Sequence, residues 1–552
     1  MEILKMKINN KVLLFLILAG ILFRIGTLFI QDLWFDEVRQ FRVAQGMSVF
    51  YWAEIDSKLI DTNLVSLCRV TLGAFLGSPF FTILLHYWSK LSSAEAWLRV
   101  LPLLFSIGIL PVMYRLALAC NLSKTIALFV TAFCSWNGAW VFYSVELRPY
   151  SLEIFCVALT LLLFINILRQ RTASVSHYLW LSLSMLMGVV SGYGYLIFCV
   201  LIVSCAVIQI ARTADTVRRK FIKMFLIITP AVVSFIYVNY ITSIRLLVNT
   251  GVVRIVDIAT HVTSSYLLYL YYPFHSGFGV YLASMIKSIL FMMAWQLFYI
   301  GRFQYRFLNH VSIGLPFFIL AGIIFFCMIL FVFFFFKKRR REEVVVLVIF
   351  LGTLAVSVVL STLRLLPMGA IRQNLFLSPV LLMSFFIILN YLYRAVNQIR
   401  PGINWNYCLL FILIFMIILN LLRVNQTVAY GRNGEAIRPL LKMIEKSYHE
   451  GDKVCVYINN RSVPAFIYEW QYPRFFWLKD LQKEDIYRDS SFRAGLGSGY
   501  DYQWYIFTRD YGLANNVRES LIKEGVILEE YTFFPDVIGF KVKMNSEKYQ
   551  IL

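Results

Sequence analysis

Two adjacent carboxylates, Asp36 and Glu37, follow the first long apolar run of the chain, Val12 to Ile30. Carboxylates act as general bases or as ligands of hard cations, and they are costly to hold at the edge of a bilayer. The preceding Leu33-Trp34-Phe35 should anchor the pair at the depth of the lipid headgroups, where aromatic side chains are enriched. A lone loop carboxylate is most often solvated surface, but this fixed depth favours an active site that faces one membrane interface.

A second polar patch, Ser144 to Tyr150, lies between two later apolar runs and contains Glu146, Arg148 and Pro149. Glu146 and Arg148 form either a surface ion pair, which stabilises little, or part of a site at the membrane edge. The patch therefore supplies a candidate carboxylate, a candidate cation and an aromatic ring, Tyr150.

Arg372 lies in a third patch, Arg364 to Asn374, again between two apolar runs. Arginine grips phosphate well because its fork donates two parallel hydrogen bonds. The alternative is an arginine that anchors a helix end. The fourth patch is Gly77-Ser78-Pro79 with His86 on the amphipathic stretch that follows, where a single histidine is more often packed than catalytic.

The composition places these patches in a polytopic membrane protein. Of 552 residues, 59% are hydrophobic and 15% are charged, and soluble domains have about 45–50% and about 25%. The net charge of +21 is typical of basic residues collected in cytoplasmic loops, and no nucleic-acid partner is expected because the aromatic residues lie in apolar runs.

Eleven apolar runs predict eleven transmembrane helices, with the N-terminus in the cytoplasm because Lys5, Lys7 and Lys11 precede the first run. The strongest basic clusters, such as Lys337 to Arg341, then all fall on the cytoplasmic side. Arg24 interrupts the first run, and a carboxylate on another helix is the partner expected for it. The runs are 12–30, 97–118, 125–143, 150–168, 178–191, 193–211, 224–243, 311–336, 344–361, 374–392 and 406–424.

This topology predicts two domains, a transmembrane catalytic domain over 1–425 and a small soluble extracytoplasmic α/β domain over 426–552. Segment 31–96 is predicted as a first outer loop in which Pro79 to Leu91 forms an interfacial helix. Segment 244–310 is predicted as a second large outer loop with interfacial helices. The tail has strand-like runs at 453–458, 502–508, 526–532 and 536–543, and an amphipathic helix near 514–524.

Taken in order, these patches resemble the GT-C glycosyltransferases that use polyprenyl-phosphate sugars. Relatives in that superfamily include protein O-mannosyltransferases, lipid A aminoarabinose transferases and lipopolysaccharide-core glycosyltransferases. The similar stretches are Trp34-Phe35-Asp36-Glu37, Ser78-Pro79-Phe80-Phe81, Leu85-His86-Tyr87-Trp88, Arg99-Val100-Leu101-Pro102, Glu146-Leu147-Arg148-Pro149-Tyr150, Pro367 with Arg372 and Leu375 to Pro379, and Ala436 to Tyr457.

The resemblance implies a GT-C fold and inverting transfer of a sugar from a polyprenyl-phosphate donor to an acceptor hydroxyl outside the inner (plasma) membrane. The acceptor is a glycolipid, a glycan or a protein, and a cell-envelope or lipopolysaccharide role is expected. No cofactor is assigned, and a divalent cation is left open because paired carboxylates can hold a hard cation.

The resemblance also implies roles for the candidate residues. Asp36 is the expected general base, and Glu37 orients the acceptor or tunes the base. Arg372 is the first choice for the donor phosphate and Arg148 the second, and Glu146 holds either Arg148 or a divalent ion. The further substrate-binding candidates are Tyr150 and His86.

Three other classes of function stay open from the sequence, and one of them is a sensor that uses the tail as its ligand-binding module. A lipid-linked oligosaccharide transporter or flippase would show charges buried within spans and interrupted helices. A polysaccharide polymerase or ligase would place its catalytic groups in one large outer loop. Sugar identity, acceptor identity, polyprenyl length and oligomeric state are not readable from the sequence.

Overall fold

The structure is a computed structural model of the 552-residue chain. It describes residues 10–29, 33, 35–45, 79–170, 173–249, 278–298, 315–335, 341–362, 372–399, 410–418, 421, 437–449, 454–458, 466, 486–488, 502–508, 514–519, 527–533 and 537–543.

Helices lie at the positions of all eleven predicted apolar runs, because a long apolar segment satisfies its backbone groups best as a helix. The last of these runs is helical over 410–418. One helix, Phe278–Phe298, lies within the segment predicted as the second outer loop, and the interfacial placement of that loop stays a prediction. The helices are α1 (Asn10–Thr27), α2 (Phe35–Ala44), α3 (Pro79–Ser89), α4 (Glu95–Ala119), α5 (Lys124–Trp136), α6 (Gly138–Ser144), α7 (Tyr150–Arg169), α8 (Val175–Val189), α9 (Tyr193–Ala211), α10 (Val217–Asn249), α11 (Phe278–Phe298), α12 (Leu315–Phe335), α13 (Arg341–Thr362), α14 (Ser378–Ile399) and α15 (Arg438–Ser447), with a 3-10 helix at Arg372–Leu377.

Within the described residues, six helices are long and apolar enough to cross a membrane, or seven if the bent pair α5 and α6 is one span. Eleven spans are therefore not confirmed, and the orientation of the termini stays a prediction. The six are Asn10–Thr27, Glu95–Ala119, Tyr150–Arg169, Gly194–Ala211, Glu342–Ser361 and Asn374–Arg394.

The chain divides into two compact units. The first unit contains Met1–Gly26, Phe75–Phe81 and Arg99–Asn420, and the second contains Thr27–Ala74, Thr82–Leu98 and Leu421–Leu552. The predicted boundary between 425 and 426 stays a prediction.

A break at Asn137 shapes the first unit. The sequence predicts one continuous helix over 125–143, but the structure has α5 and α6 meeting at an angle of 55°. The Asn137 side chain accepts a hydrogen bond from the Trp140 backbone nitrogen (3.1 Å) and so caps the start of α6. Its amide nitrogen donates to the Gln296 carbonyl oxygen on α11 (2.7 Å).

Arg24 closes the other side of this break. Its guanidinium is fully buried and donates to the carbonyl oxygens of Cys134 (2.5 Å) and Ser135 (3.3 Å), at the end of α5. A cation is favoured there because the last carbonyls of a helix carry partial negative charge. Close approach of α1 requires Gly20, since a Cβ there would lie 2.7 Å from Ser135 Oγ. Where the sequence predicted a carboxylate, Arg24 donates to this helix end and to the Ser106 carbonyl oxygen on α4 (3.1 Å).

The second unit contains a five-stranded mixed sheet of strand order β2-β1-β3-β5-β4. Strand β1 pairs in parallel with β2 and β3, whereas β5 pairs antiparallel with β3 and β4. The four strand-like runs predicted in the tail are confirmed, and β2 is an addition to them. The strands are β1 (Val454–Ile458), β2 (Ile486–Arg488), β3 (Tyr502–Thr508), β4 (Ile527–Phe533) and β5 (Val537–Lys543).

Helix α15 covers this sheet with an apolar face that includes Leu440, Leu441 and Ile444, all fully buried. Gly539 on β5 allows the close approach, since a Cβ there would lie 2.4 Å from Leu440 Cδ1. Residues 514–519 are helical, as predicted. The tail is therefore an α/β layer, and its predicted extracytoplasmic location is untested.

Candidate active site

The acidic pair lies in the first turn of α2, which begins at Phe35. Carboxylates are favoured in a first helical turn because the backbone N–H groups there carry partial positive charge. Glu37 is fully buried, in contrast to a solvated loop residue. The Asp36 side chain lies outside the described part of the structure, so its role as general base stays a prediction.

Hydrogen bonds from α2 to α3 fix the position of the acidic helix. Gln40 Nε2 donates to Thr82 Oγ1 (2.8 Å), and both side chains are fully buried. Just beyond the helix, Gln45 Nε2 donates to Ser89 Oγ (3.0 Å). Arg42 is also buried on α2, and this burial lowers the pKa of its guanidinium.

His86 belongs to the same clamp. Its Nδ1 lies 2.6 Å from the Ala44 carbonyl oxygen, and since a carbonyl only accepts, Nδ1 carries the hydrogen. The histidine thereby caps the last turn of α2 and is 6% exposed. His86 is therefore a packed residue, which is the more common role that the sequence suggested for a single histidine. The predicted contact of His86 with substrate is untested.

The chain that enters α2 is held by the start of α4. The Leu33 backbone nitrogen donates to Glu95 Oε1 (3.3 Å), and the same oxygen accepts from Arg438 Nη2 of α15 (2.5 Å). Trp88 and Trp97 stack with ring centres 4.5 Å apart, which joins α3 to the start of α4. The second unit therefore holds the acidic pair on a helix whose two ends are both tied down.

In the first unit, the patch from Ser144 to Tyr150 forms a tight turn between α6 and α7. The Arg148 nitrogen donates to the Glu146 carbonyl oxygen (2.6 Å), so the chain reverses within three residues. Glu146 is 1% exposed and Arg148 is 8% exposed. Burial of two ionisable side chains is costly, so this turn is unlike the solvated surface pair that the sequence left open.

Aromatic rings surround this turn. The Arg148 guanidinium carbon lies 5.9 Å from the centre of the Tyr150 ring, within the range of a cation–π interaction. Tyr150 in turn meets Tyr143 edge to face at 5.2 Å. Ser151 Oγ donates to the Tyr143 carbonyl oxygen (2.8 Å) and ties the start of α7 back to α6.

The 3-10 helix that begins at Arg372 contacts α7, the helix that follows the turn. The second patch therefore leads into a helix that contacts the 3-10 helix in which the third patch ends. The Arg372 backbone is described, but its side chain is outside the described part, so its phosphate contact stays a prediction. The side chains that follow it, from Asn374 to Leu377, are fully buried.

Gln296 on α11 links the broken helix to this 3-10 helix. Its Nε2 donates to the Asn374 carbonyl oxygen (2.6 Å), and its own carbonyl accepts from Asn137. A parallel link runs from Trp140 Nε1 to Ser378 Oγ (2.9 Å). Sequence reasoning missed Asn137, Gln296 and Trp140, although the Asn137-Gly138 pair inside an apolar run was a readable turn signal.

The candidate residues thus form two groups. Glu146, Arg148, Tyr150 and Arg372 belong to the first unit, and Asp36, Glu37 and His86 belong to the second. Across the described residues, no cluster of three or more His, Cys, Asp or Glu residues has the arrangement of a metal site.

No protein-family model matches the sequence, and no curated protein matches it. Among solved structures, the chain is similar to the archaeal oligosaccharyltransferase AglB from Archaeoglobus fulgidus in complex with an inhibitory peptide and a dolichol-phosphate. Identity is 12% and the TM-score is 0.43, over 83% of this chain and 63% of AglB. The chain thus spans less than two thirds of that protein.

The chain is also similar to ArnT from Cupriavidus metallidurans, bound to undecaprenyl phosphate and in the apo state. Identity is 13% and the TM-score is 0.39 in each case, over 96% of this chain. The match covers 98% of the bound chain and 97% of the apo chain. Likenesses at these TM-scores and identities assign no family to the chain.

Proposed function

We propose that the protein is a membrane glycosyltransferase of the GT-C type. It moves a sugar from a polyprenyl-phosphate-linked donor to an acceptor hydroxyl on the extracytoplasmic side of the inner membrane. The transfer inverts the configuration at the sugar, and a carboxylate acts as base.

In the reaction, the Asp36 carboxylate accepts the proton of the acceptor hydroxyl. The hydroxyl oxygen attacks the anomeric carbon, the new C–O bond forms, and the bond from that carbon to the phosphate oxygen breaks. The electron pair leaves with the polyprenyl phosphate anion. Arg372 and Arg148 stabilise that developing negative charge, which a fixed cation does best in a site that excludes water.

The observation that carries this proposal is the buried turn from Glu146 to Tyr150, which leads into the helix that contacts the Arg372 3-10 helix. A protein retains buried charge at such cost mainly where the charge has a task. A phosphate leaving group at the membrane interface is a ligand that suits two arginines from adjacent segments.

The remaining candidates take supporting roles in this proposal. Glu37 orients the acceptor beside Asp36. Glu146 holds Arg148 or a divalent ion, and Tyr150 holds Arg148 in place. His86 contributes by fixing the last turn of α2, where its Nδ1 bonds the Ala44 carbonyl oxygen.

Mass spectrometry of envelope glycolipids and glycoproteins, from cells with and without the gene, tests the proposal. Loss of one hexose, pentose or uronic acid from one acceptor class is the expected result, and it would identify both donor sugar and acceptor. Identical glycan masses in the two strains, under conditions where the protein is made, would contradict a transferase.

A second candidate is a transporter of lipid-linked oligosaccharide, and the broken helix α5 and α6 favours it. Transporters place interrupted helices and buried charges within the membrane, and Arg24 is fully buried at this break. The two functions differ in chemistry, because transport leaves the sugar–phosphate bond intact. Reconstituted vesicles that move labelled donor across the bilayer without releasing polyprenyl phosphate would favour transport.

A further inference from the structure

We propose that Glu153 is a positioning residue. Its carboxylate fixes the start of α9, and the start of α9 seats the 3-10 helix that begins at Arg372. The consequence for donor phosphate rests on the proposed function, whereas the mechanical link does not.

Glu153 lies in the first turn of α7, five residues after Arg148, and is 5% exposed. Its Oε1 accepts a hydrogen bond from the Tyr195 backbone nitrogen (3.1 Å). A carboxyl group buried in a membrane-spanning helix is costly, so a specific role is expected for it. The proposed sugar transfer does not use this residue directly.

The bond from Glu153 replaces a cap that α9 cannot make for itself. Tyr195 is the third residue of α9, and its N–H is one of the donors left without a partner at a helix start. The N-cap residue is Gly192, which has no side chain to accept it. Glu153 supplies the acceptor from the neighbouring helix.

Two glycines at this helix start allow two different neighbours to approach. A Cβ at Gly192 would lie 2.2 Å from Glu153 Oε1. A Cβ at Gly194 would lie 2.2 Å from Phe376 Cδ1, on the 3-10 helix. The start of α9 therefore has the Glu153 carboxylate against Gly192 and the Arg372 3-10 helix against Gly194.

Tyr195 locks this arrangement into the helices around it. Its hydroxyl lies 2.6 Å from Thr160 Oγ1 on α7, and Thr160 Oγ1 lies 2.6 Å from Ser184 Oγ on α8. A Cβ at Gly188 on α8 would lie 2.2 Å from the Tyr195 ring. With the side chain of Tyr195 fixed and its backbone held by Glu153, the first turn of α9 has little freedom to shift.

Hydrogen exchange measured by mass spectrometry on the purified full chain tests the link without any substrate. In Glu153→Ala, amide exchange should rise about tenfold in peptides that cover Tyr195 and also in peptides that cover 372–377, because one bond is lost. In Glu153→Gln, whose amide oxygen still accepts, exchange should stay near wild type. The matched control is Glu343→Ala. Glu343 is another buried carboxylate, and it accepts a hydrogen bond from the Tyr391 hydroxyl on α14. This substitution should leave amide exchange in residues 372–377 unchanged.

Binding of undecaprenyl phosphate in detergent micelles tests the consequence. Glu153→Ala should raise the apparent Kd about fivefold to tenfold, Glu153→Gln should restore it, and Glu153→Ala combined with Arg372→Ala should be no worse than Arg372→Ala alone. Faster exchange at Tyr195 with unchanged exchange at 372–377 would overturn the inference, as would additive effects of the two substitutions. If wild type binds no undecaprenyl phosphate, the proposed function fails, and the exchange result still decides the role of Glu153.

Discussion

The guanidinium of Arg148 lies over the ring of Tyr150, with 5.9 Å between the guanidinium carbon and the ring centre. Both side chains are 8% exposed. A ring face stabilises a cation without cancelling its charge, so Arg148 remains able to attract a phosphate. We therefore expect the Tyr150 ring to hold the Arg148 guanidinium in position, and substitution of Tyr150 tests this role.

Two substitutions of Tyr150 should distinguish the contribution of its ring from that of its hydroxyl. Tyr150→Phe keeps the ring, so the KM for a polyprenyl-phosphate sugar should stay near wild type. Tyr150→Leu removes an interaction of about 1–2 kcal/mol and should raise that KM by roughly fivefold to thirtyfold. A Phe variant as weak as the Leu variant would show that the hydroxyl, not the ring, matters.

Arg372→Ala should weaken use of the donor. Loss of a charge-assisted hydrogen bond to phosphate costs about 1.5–3 kcal/mol, so the donor KM should rise by at least about tenfold while the acceptor KM changes little. The matched control is Arg518→Ala, since Arg518 is half-exposed and pairs with Glu530 in the tail. Unchanged donor dependence in Arg372→Ala would move the phosphate site elsewhere.

Asn137 should be needed for stability through two separate bonds, one at each of its amide atoms. Asn137→Ala loses both the cap of α6 and the bond to Gln296, and the cost is expected to be about 2–3 kcal/mol. Asn137→Ser keeps a capping oxygen and should recover about 1 kcal/mol of that cost. In thermal unfolding in detergent, the melting temperature should be highest for wild type, lower for Asn137→Ser and lowest for Asn137→Ala. Equal melting temperatures for the two variants would contradict the capping role.

The ion pair between Asp215 and Lys223 gives a pH-dependent prediction. Lys223 Nζ lies 2.6 Å from Asp215 Oδ2, and its hydrogen bond lowers the pKa of Asp215. A carboxyl whose pKa is lowered by folding stabilises fully above its unfolded pKa, about 3.9, and loses that contribution as the pH falls through its folded pKa.

Asp215→Asn should therefore melt at a lower temperature than wild type by an amount that is constant from pH 8 to about pH 5. The gap should shrink only below about pH 4. Melting curves of both proteins across this range provide the measurement. A gap that already changes between pH 8 and pH 5 would point to a different titrating group.

Sequence patterning predicted helices at the eleven apolar runs and four of the five strands, because hydrophobic runs and alternation act locally, but it predicted neither α2 nor β2. Phe278–Phe298 lies in the segment for which interfacial helices were predicted, although the sequence did not give its bounds. The break at Asn137 was missed because the apolar run continues through it. The break depends on the cap that Asn137 provides and on the bonds from Arg24. Arg24 is more than 100 residues away in sequence from the carbonyl oxygen that it contacts at Cys134.

The candidate site was predictable only in part. The sequence singled out Glu146 and Arg148 as a turn at the membrane edge, but it left their burial open. It gave no reason to select Gln296 or Glu153. In an apolar helix, the sequence around a single polar residue does not distinguish a packed residue from a functional one. Their roles became visible only through the backbone groups that they contact.

The most direct test of sugar transfer uses the purified protein, a polyprenyl-phosphate sugar and an envelope extract as acceptor source. Wild type should release polyprenyl phosphate and label the acceptor, whereas Asp36→Asn should fold and melt like wild type but release at least about a hundredfold less. Glu519→Gln, at an exposed carboxylate of the tail, should behave like wild type. Near-wild-type release of polyprenyl phosphate by Asp36→Asn would contradict the proposed base.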